Sequence, residues 1–190
     1  KRVPIVDLTH NIPPQDIAQA AKVIIDNYRY FPAGTVHLAI VDPGVGSDRR
    51  IRAIKGDGYI FVGPDNGLLS RLPKIRWVAR IDWRPASLSA SFHGRDLFAP
   101  VAARLALGET VECTPIQPQQ MVGGDWPDDL ERIIYIDAFG NLMTGVNAKK
   151  LSKNRMIVAG GQRLSYAETF CRVAAGAPFW YVNSQGLVEI

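Results

Sequence analysis

The stretch Thr35-Val36-His37-Leu38-Ala39-Ile40-Val41-Asp42-Pro43-Gly44-Val45-Gly46-Ser47-Asp48-Arg49-Arg50 joins a buried-strand pattern to a glycine-rich loop. Residues 35–40 have the β-branched and aliphatic content of a strand covered on both faces. Asp42 then falls at the strand's carboxyl end, where the loops of an open α/β sheet form a ligand crevice. Pro43 fixes one backbone dihedral, and the two glycines permit close approach of backbone to a ligand. Asp-Pro-Gly by itself is also ordinary turn chemistry, in which the acid caps its own turn. Gly44-Val45-Gly46 is not a dinucleotide fingerprint, because no third glycine follows and residues 51–54 read as another strand where that motif needs a helix. The loop offers an acid, Asp42, and a guanidinium, Arg49, on either side of a tight turn.

Upstream, residues 16–31 place Ile17, Ala20, Ala21, Ile24, Ile25 and Tyr28 on one helical face. Residues 9–14 form a loop whose prolines open that helix, and Pro32-Ala33-Gly34 ends it. Residues 3–8 read as a short strand, and strand, helix, strand in that order is the right-handed unit of a parallel sheet. Downstream, Gly56-Asp57-Gly58 separates two apolar runs as a hairpin turn, Asp65-Asn66-Gly67 reads as turn chemistry with a structural role, and residues 77–81 as a strand. Phe92-His93-Gly94-Arg95-Asp96 precedes a helix over 97–107 closed by Gly108. Asp96 is its expected N-cap, which sets His93 just ahead of a helix N-terminus.

Residues 113–127 are rich in Pro and Gln, lack any period and read as a linker. Beyond them come short strands at 132–136, 142–146, 156–158, 162–164, 179–182 and 187–190, joined by Gly- and Asn-bearing turns. The fold class is therefore α/β, with an N-terminal parallel-sheet α/β domain over 1–112 and a smaller all-β domain over 128–190.

The 190 residues are 47% hydrophobic and 21% charged, the balance of a soluble globule. No apolar run approaches the roughly 20 residues of a membrane span. The net charge of +4 is mild and its arginines are scattered, so neither nucleic acid nor a membrane is expected as partner. Cys113 and Cys171 form no CxxC or Cys/His spacing, which argues against a zinc site or a disulfide framework and favours a cytoplasmic setting. His10, His37 and His93 are not at metal-ligand spacings either. The chain starts Lys1-Arg2-Val3 without initiator Met or apolar signal segment, as a fragment would.

Asp42-Pro-Gly-Val-Gly with Arg49, Phe92-His93-Gly94-Arg95-Asp96, Asp7-Leu8-Thr9-His10 with Ile12-Pro13-Pro14, and Asp137-Ala138-Phe139-Gly140-Asn141 together resemble the S-adenosyl-L-methionine hydroxide adenosyltransferase family. These are the adenosine-forming S-adenosylmethionine (SAM) hydrolases, relatives of fluorinase and chlorinase. The resemblance runs along essentially the whole chain. It implies a barrel-like C-terminal domain and a homotrimer with active sites between one subunit's N-terminal domain and its neighbour's C-terminal domain. It also implies a catalytic Asp42, Arg49 and His93, with Phe92 and Gly94 against the substrate beside them. Phe139 would stack on adenine, Asn141 hydrogen-bond its edge, Asp137 face the methionine ammonium, Ser184 contact the methionine moiety and Glu189 bound the adenosine pocket. SAM would be substrate, with no metal and no cofactor. The family opens with a strand and a Thr-Asp-Phe-Gly-like motif that nothing before Lys1 supplies, and it continues past Ile190. Gly145 stands where the family usually has Asn.

Substitution at the 5′ carbon of a sulfonium has a good neutral leaving group, so an aligned nucleophile in a dry pocket is the main requirement. Asp42 would orient water and accept its proton, or act as an electrostatic anchor, while Arg49 and His93 stabilise hydroxide character. The fluorinase has tyrosine at the position of Asp42 and serine at that of Gly94. A carboxylate at 42 repels halide, which favours water, with a chloride adenosyltransferase as the alternative. A non-catalytic SAM or adenosine-binding module would need Asp137, Phe139 and Asn141 but not the triad. Taken alone, His93 reads as a core or helix-entry histidine, Phe139-Gly140-Asn141 as a hairpin turn and His10 as a structural tie.

Overall fold

The computed structural model describes residues 3–123, 127 and 129–190, and the chain divides into two compact units, Lys1–Trp126 and Pro127–Ile190. In the first, α1 (Ile17–Asn27) precedes β1 (Val36–Leu38), β2 (Ile51–Gly56), β3 (Tyr59–Pro64), β4 (Ile75–Ile81), α2 (Ala99–Ala106) and β5 (Cys113–Ile116).

 The helix α2, Ala99–Ala106, follows directly on a single π-helical turn at Gly94–Phe98. The sheet runs β1-β3-β2-β4-β5. Only β1 and β3 pair in parallel, whereas β2–β3, β2–β4 and β4–β5 are antiparallel. The parallel sheet expected from the sequence is therefore a mixed one. The cause is local: Asp57 (φ 52°) and Gly58 (φ 88°) are both left-handed, the geometry of a two-residue hairpin turn that folds β3 straight back on β2.

Two more segments differ from the sequence expectation. Residues 3–8 form no strand; Ile5 is 92% exposed and the segment has no ladder partner among the described residues. An apolar run becomes a strand only where a neighbour takes its backbone bonds. The linker expected at 113–127 begins instead with β5, whose residues Cys113–Ile116 pair with β4. Pro115 is tolerated there because β5 is an edge strand. The linker's residues 124–126 lie outside the described residues.

Strand alternation sends side chains to two cores. Ile54 and Phe61 pack with Ala20, Ala21, Ile24 and Tyr28 of the α1 segment, while Ile51, Ala53 and Val62 pack with Leu97, Phe98, Val101 and Ala102 of the α2 segment. The sheet is thus covered on both faces, and loops that leave its strands are where polar chemistry is free to collect.

The second unit holds β6 (Leu130–Ile136), β7 (Leu142–Asn147), β8 (Ile157–Ala159), β9 (Gln162–Tyr166), β10 (Phe179–Val182) and β11 (Leu187–Glu189). Their order is β6-β7-β11-β10-β9-β8 in a sheet curled into a half-barrel. Its core is Ala148, Leu164, Trp180 and Val188, and the buried Trp180 indole satisfies its N–H by donating to the Arg155 carbonyl at 3.0 Å. Gly145, the position where the resemblance led one to expect Asn, faces Leu130 across the β6–β7 ladder. A Cβ there would lie 2.5 Å from Leu130 Cβ and 2.7 Å from its carbonyl oxygen, so the close strand approach requires glycine.

Candidate active site

Asp42, Arg49 and His93 come together in the first unit. Arg49 Nε donates to Asp42 Oδ1 at 2.7 Å and Oδ2 at 2.9 Å, and its Nη2 also donates to Oδ2. The same Nη2 lies 2.9 Å from His93 Nδ1. A guanidinium has no lone pair to offer, so Nδ1 must be the acceptor. A neutral His93 in this contact therefore carries its proton on Nε2. The Asp42 and Arg49 side chains are 6% and 9% exposed, and His93 is 8% exposed. Removing one partner from so buried a pair strands the other charge, at a cost of about 3–5 kcal/mol.

Local structure explains the convergence. Gly46 (φ 81°) turns the loop tightly, and a Cβ on it would lie 2.8 Å from the Ala90 carbonyl oxygen. Arg49 is held from below as well: its Cζ sits 4.9 Å from the centre of the Phe98 ring. His93 and Phe98 are five residues apart. An α-helical turn brings together residues three and four apart, but the π-turn here closes with an Ala99 N–H to Gly94 carbonyl bond and so stacks residues five apart. One turn of backbone thereby supplies both the imidazole and the aromatic face that bracket Arg49.

Asp96 is not the N-cap expected from the sequence, because the helical segment starts before it. Its carboxylate accepts from the Ser89 amide at 3.1 Å and pairs with Arg95. Those bonds, the Arg95 one foremost, hold its carboxyl below the ordinary range. Phe92 is 56% exposed, and the Arg95 guanidinium lies over its ring at 4.9 Å. At Gly94 a Cβ would meet only Ile40 Cδ1, at an ordinary 3.5 Å, so packing does not demand glycine there. His10 pairs with Asp7 at 3.2 Å on the surface.

The other proposed contacts lie in the second unit, in two groups. Asp137 Oδ1 accepts from the backbone amides of Phe139 (2.8 Å) and Asn141 (2.9 Å), and its Oδ2 from Asn141 Nδ2 (2.8 Å). Burial pushes the Asp137 carboxyl up, but the bonds from Asn141, Phe139 and Gly140 outweigh it and hold the group below its ordinary value. It is a dependable anion. The turn it braces presents Phe139 to solvent at 91% exposure, an aromatic face on a rigid support. The second group was less legible: buried Glu189 accepts from Tyr181 Oη and, at 2.7 Å, from Asn183 Nδ2. Burial, then the bond to Glu189, pushes the Tyr181 phenol up. The sequence reading assigns no role to Tyr181 or Asn183; their alternation with Glu189 across the β10–β11 hairpin is the signal that could have found them. Ser184 is exposed at the tip of that hairpin. Among the described residues, no group of three or more His, Cys, Asp or Glu is placed to hold a metal ion.

A mixed α/β unit with a buried Asp-Arg-His cluster, followed by an all-β unit with a braced aromatic turn, defines a two-domain ligand-processing class. The chain belongs to the SAM hydroxide adenosyltransferase family: its N-terminal domain matches over residues 1–114 and its C-terminal domain over 131–190. It is 36% identical to an (R)-S-adenosyl-L-methionine hydrolase of Thermus thermophilus over 98% of this chain and 79% of that protein. It is 27% identical to a fluorinase of Actinopolyspora mzabensis, over 99% of this chain and 80% of that one. The solved structure of an uncharacterized conserved protein from Thermotoga maritima superposes with a TM-score of 0.85 at 26% identity, covering 98% of this chain and 80% of that one.

Proposed function

We propose that this protein is an enzyme that hydrolyses S-adenosyl-L-methionine to adenosine and L-methionine, with Asp42, Arg49 and His93 as its catalytic group. The observation that carries the reading is the Asp42 carboxylate held by one guanidinium that also engages His93. The water oxygen forms a bond to the 5′ carbon as the carbon–sulfur bond breaks, and the bonding pair stays on sulfur, leaving neutral methionine thioether. The water's surplus proton passes to Asp42 and then to solvent. Arg49 keeps the acid in one orientation and, with His93, stabilises the hydroxide character that develops on the water.

In the same proposal, Phe139 stacks on adenine, the Asp137 anion faces the methionine ammonium, and Asn141, Ser184, Phe92, Gly94 and Glu189 complete the substrate contacts. Glu189 acts through its bonds to Tyr181 and Asn183, which shape the pocket wall. SAM is substrate, without a metal or other cofactor. The protein works as a cytoplasmic homotrimer, which light scattering tests by mass. A halide nucleophile is the less favoured reading, because the Asp42 carboxylate would repel it in a site this dry.

Incubation with SAM, with and without chloride, and chromatography of the products tests this. Adenosine and methionine in both conditions are expected, and Asp42→Asn, which keeps an acceptor for Arg49 but removes the charge, should lower kcat by at least about 100-fold while SAM binding survives. A chlorinated nucleoside appearing only with chloride would reassign the nucleophile, and SAM bound but unchanged would make the protein a binding module.

A further inference from the structure

Two consecutive residues of the turn after β3 hold both ends of the Asp42–Arg49 loop. At its start, Asn66 Nδ2 donates to the Val41 carbonyl at 2.8 Å. At its end, the Asp65 amide donates to the Arg50 carbonyl at 2.9 Å. The turn is itself anchored: the buried Asp65 carboxylate pairs with Arg52, whose side chain is 0% exposed, and accepts from the Val122 amide at 3.0 Å. Asn66 Oδ1 accepts from the Leu68 amide at 3.2 Å, which points Nδ2 at Val41.

The Val41 carbonyl shares a planar peptide unit with the Asp42 nitrogen and Cα. Fixing that plane fixes the Asp42 Cα and the N–Cα axis about which its side chain turns, leaving one backbone dihedral for the Arg49 grip to set. Arg49 cannot do this alone, since it grips the carboxylate from the far end of the same loop and would move with it.

We propose that Asn66 is a positioning residue for Asp42, clamping the peptide that leads into the acid while Asp65 clamps the peptide after Arg50. The role needs a donor and an acceptor on one short side chain. Asparagine has both, aspartate would set a carboxylate against the Val41 carbonyl, and alanine has neither. The inference rests on the hydrolase reading above for its kinetic consequence, and on geometry alone for its structural one.

The test compares Asn66→Ala and Asn66→Asp with the full chain; the aspartate variant keeps the acceptor for Leu68 and puts a carboxylate oxygen where the donor was. Expected is a fall in kcat of about 10- to 100-fold, the cost of a misplaced reacting group, with KM changed less than about twofold. The Arg49 Nε–H resonance, assigned by its loss in Arg49→Lys, should shift or broaden in both variants. A folded variant with wild-type kcat and an unmoved Arg49 signal overturns the proposal, as does a kcat loss that only tracks the fraction of folded protein. If the wild-type chain yields no adenosine, the hydrolase reading fails, and the Arg49 resonance still decides whether Asn66 positions the loop.

Discussion

Asp42 accepts three bonds from Arg49, far more than a turn-capping aspartate uses, and the arginine is in turn bracketed by His93 and Phe98. In the proposed mechanism the charge that would act on the nucleophile is buried, while the aromatic that would recognise the base is open. Phe139→Ala should therefore weaken SAM binding by about 1–3 kcal/mol, the worth of base–aromatic stacking, with little change in kcat. Calorimetric titration checks the affinity, and unchanged affinity would remove Phe139 from the site. Asp42 and Arg49 were legible because seven positions separate them around one loop. Asn66 was not: its carbonyl partner lies 25 positions away, and local sequence shows only a turn.

The π-turn at Gly94–Phe98 shows how an element sets a site. Helical periodicity predicted the helix but not its wider first turn, because the choice between i+4 and i+5 bonding depends on what the side chains must reach. The β6–β7 ladder makes the same point in the second unit. Gly145 read as a departure from a motif, and its reason is the neighbouring strand. Gly145→Asn should lower stability by about 1–3 kcal/mol, the ordinary cost of overpacking, because Leu130 occupies the space a side chain needs. Urea denaturation followed by near-ultraviolet circular dichroism measures it; a wild-type midpoint would mean that β6 can move aside.

Over the first unit as a whole, stability carries a pH signature from His37. It is 7% exposed, its ring is stacked on Phe61 and set edge-on to Phe31, and burial pushes its pKa below the ordinary value. Between about 6.5 and that lowered value, the unfolded chain binds a proton that the folded chain refuses, so stability falls as pH falls, by at most about 1.4 kcal/mol per pH unit. Asp26, raised by burial against the opposing pull of Lys22, acts in the opposite sense at more acid pH. Comparing wild type with His37→Phe isolates the histidine. The difference in urea midpoints should grow on acidification below about 6.5, and parallel curves would show that His37 takes up its proton as readily in the fold as in the unfolded chain.

Periodicity and turn chemistry are local properties, and they were enough to place the helix over α1, the Asp57-Gly58 hairpin, the six C-terminal strands and the Asp42 loop. They act between residues a few positions apart, and the chain carries that information without folding. Strand pairing between distant segments is settled instead by which neighbour accepts each backbone bond, so the antiparallel β2–β4 and β4–β5 pairings, the edge strand β5 and the lack of a ladder partner for residues 3–8 among the described residues emerged only on folding. The same holds for chemistry: the sequence put an acid and a guanidinium in one loop, and long-range packing brought His93 and Asn66 to it.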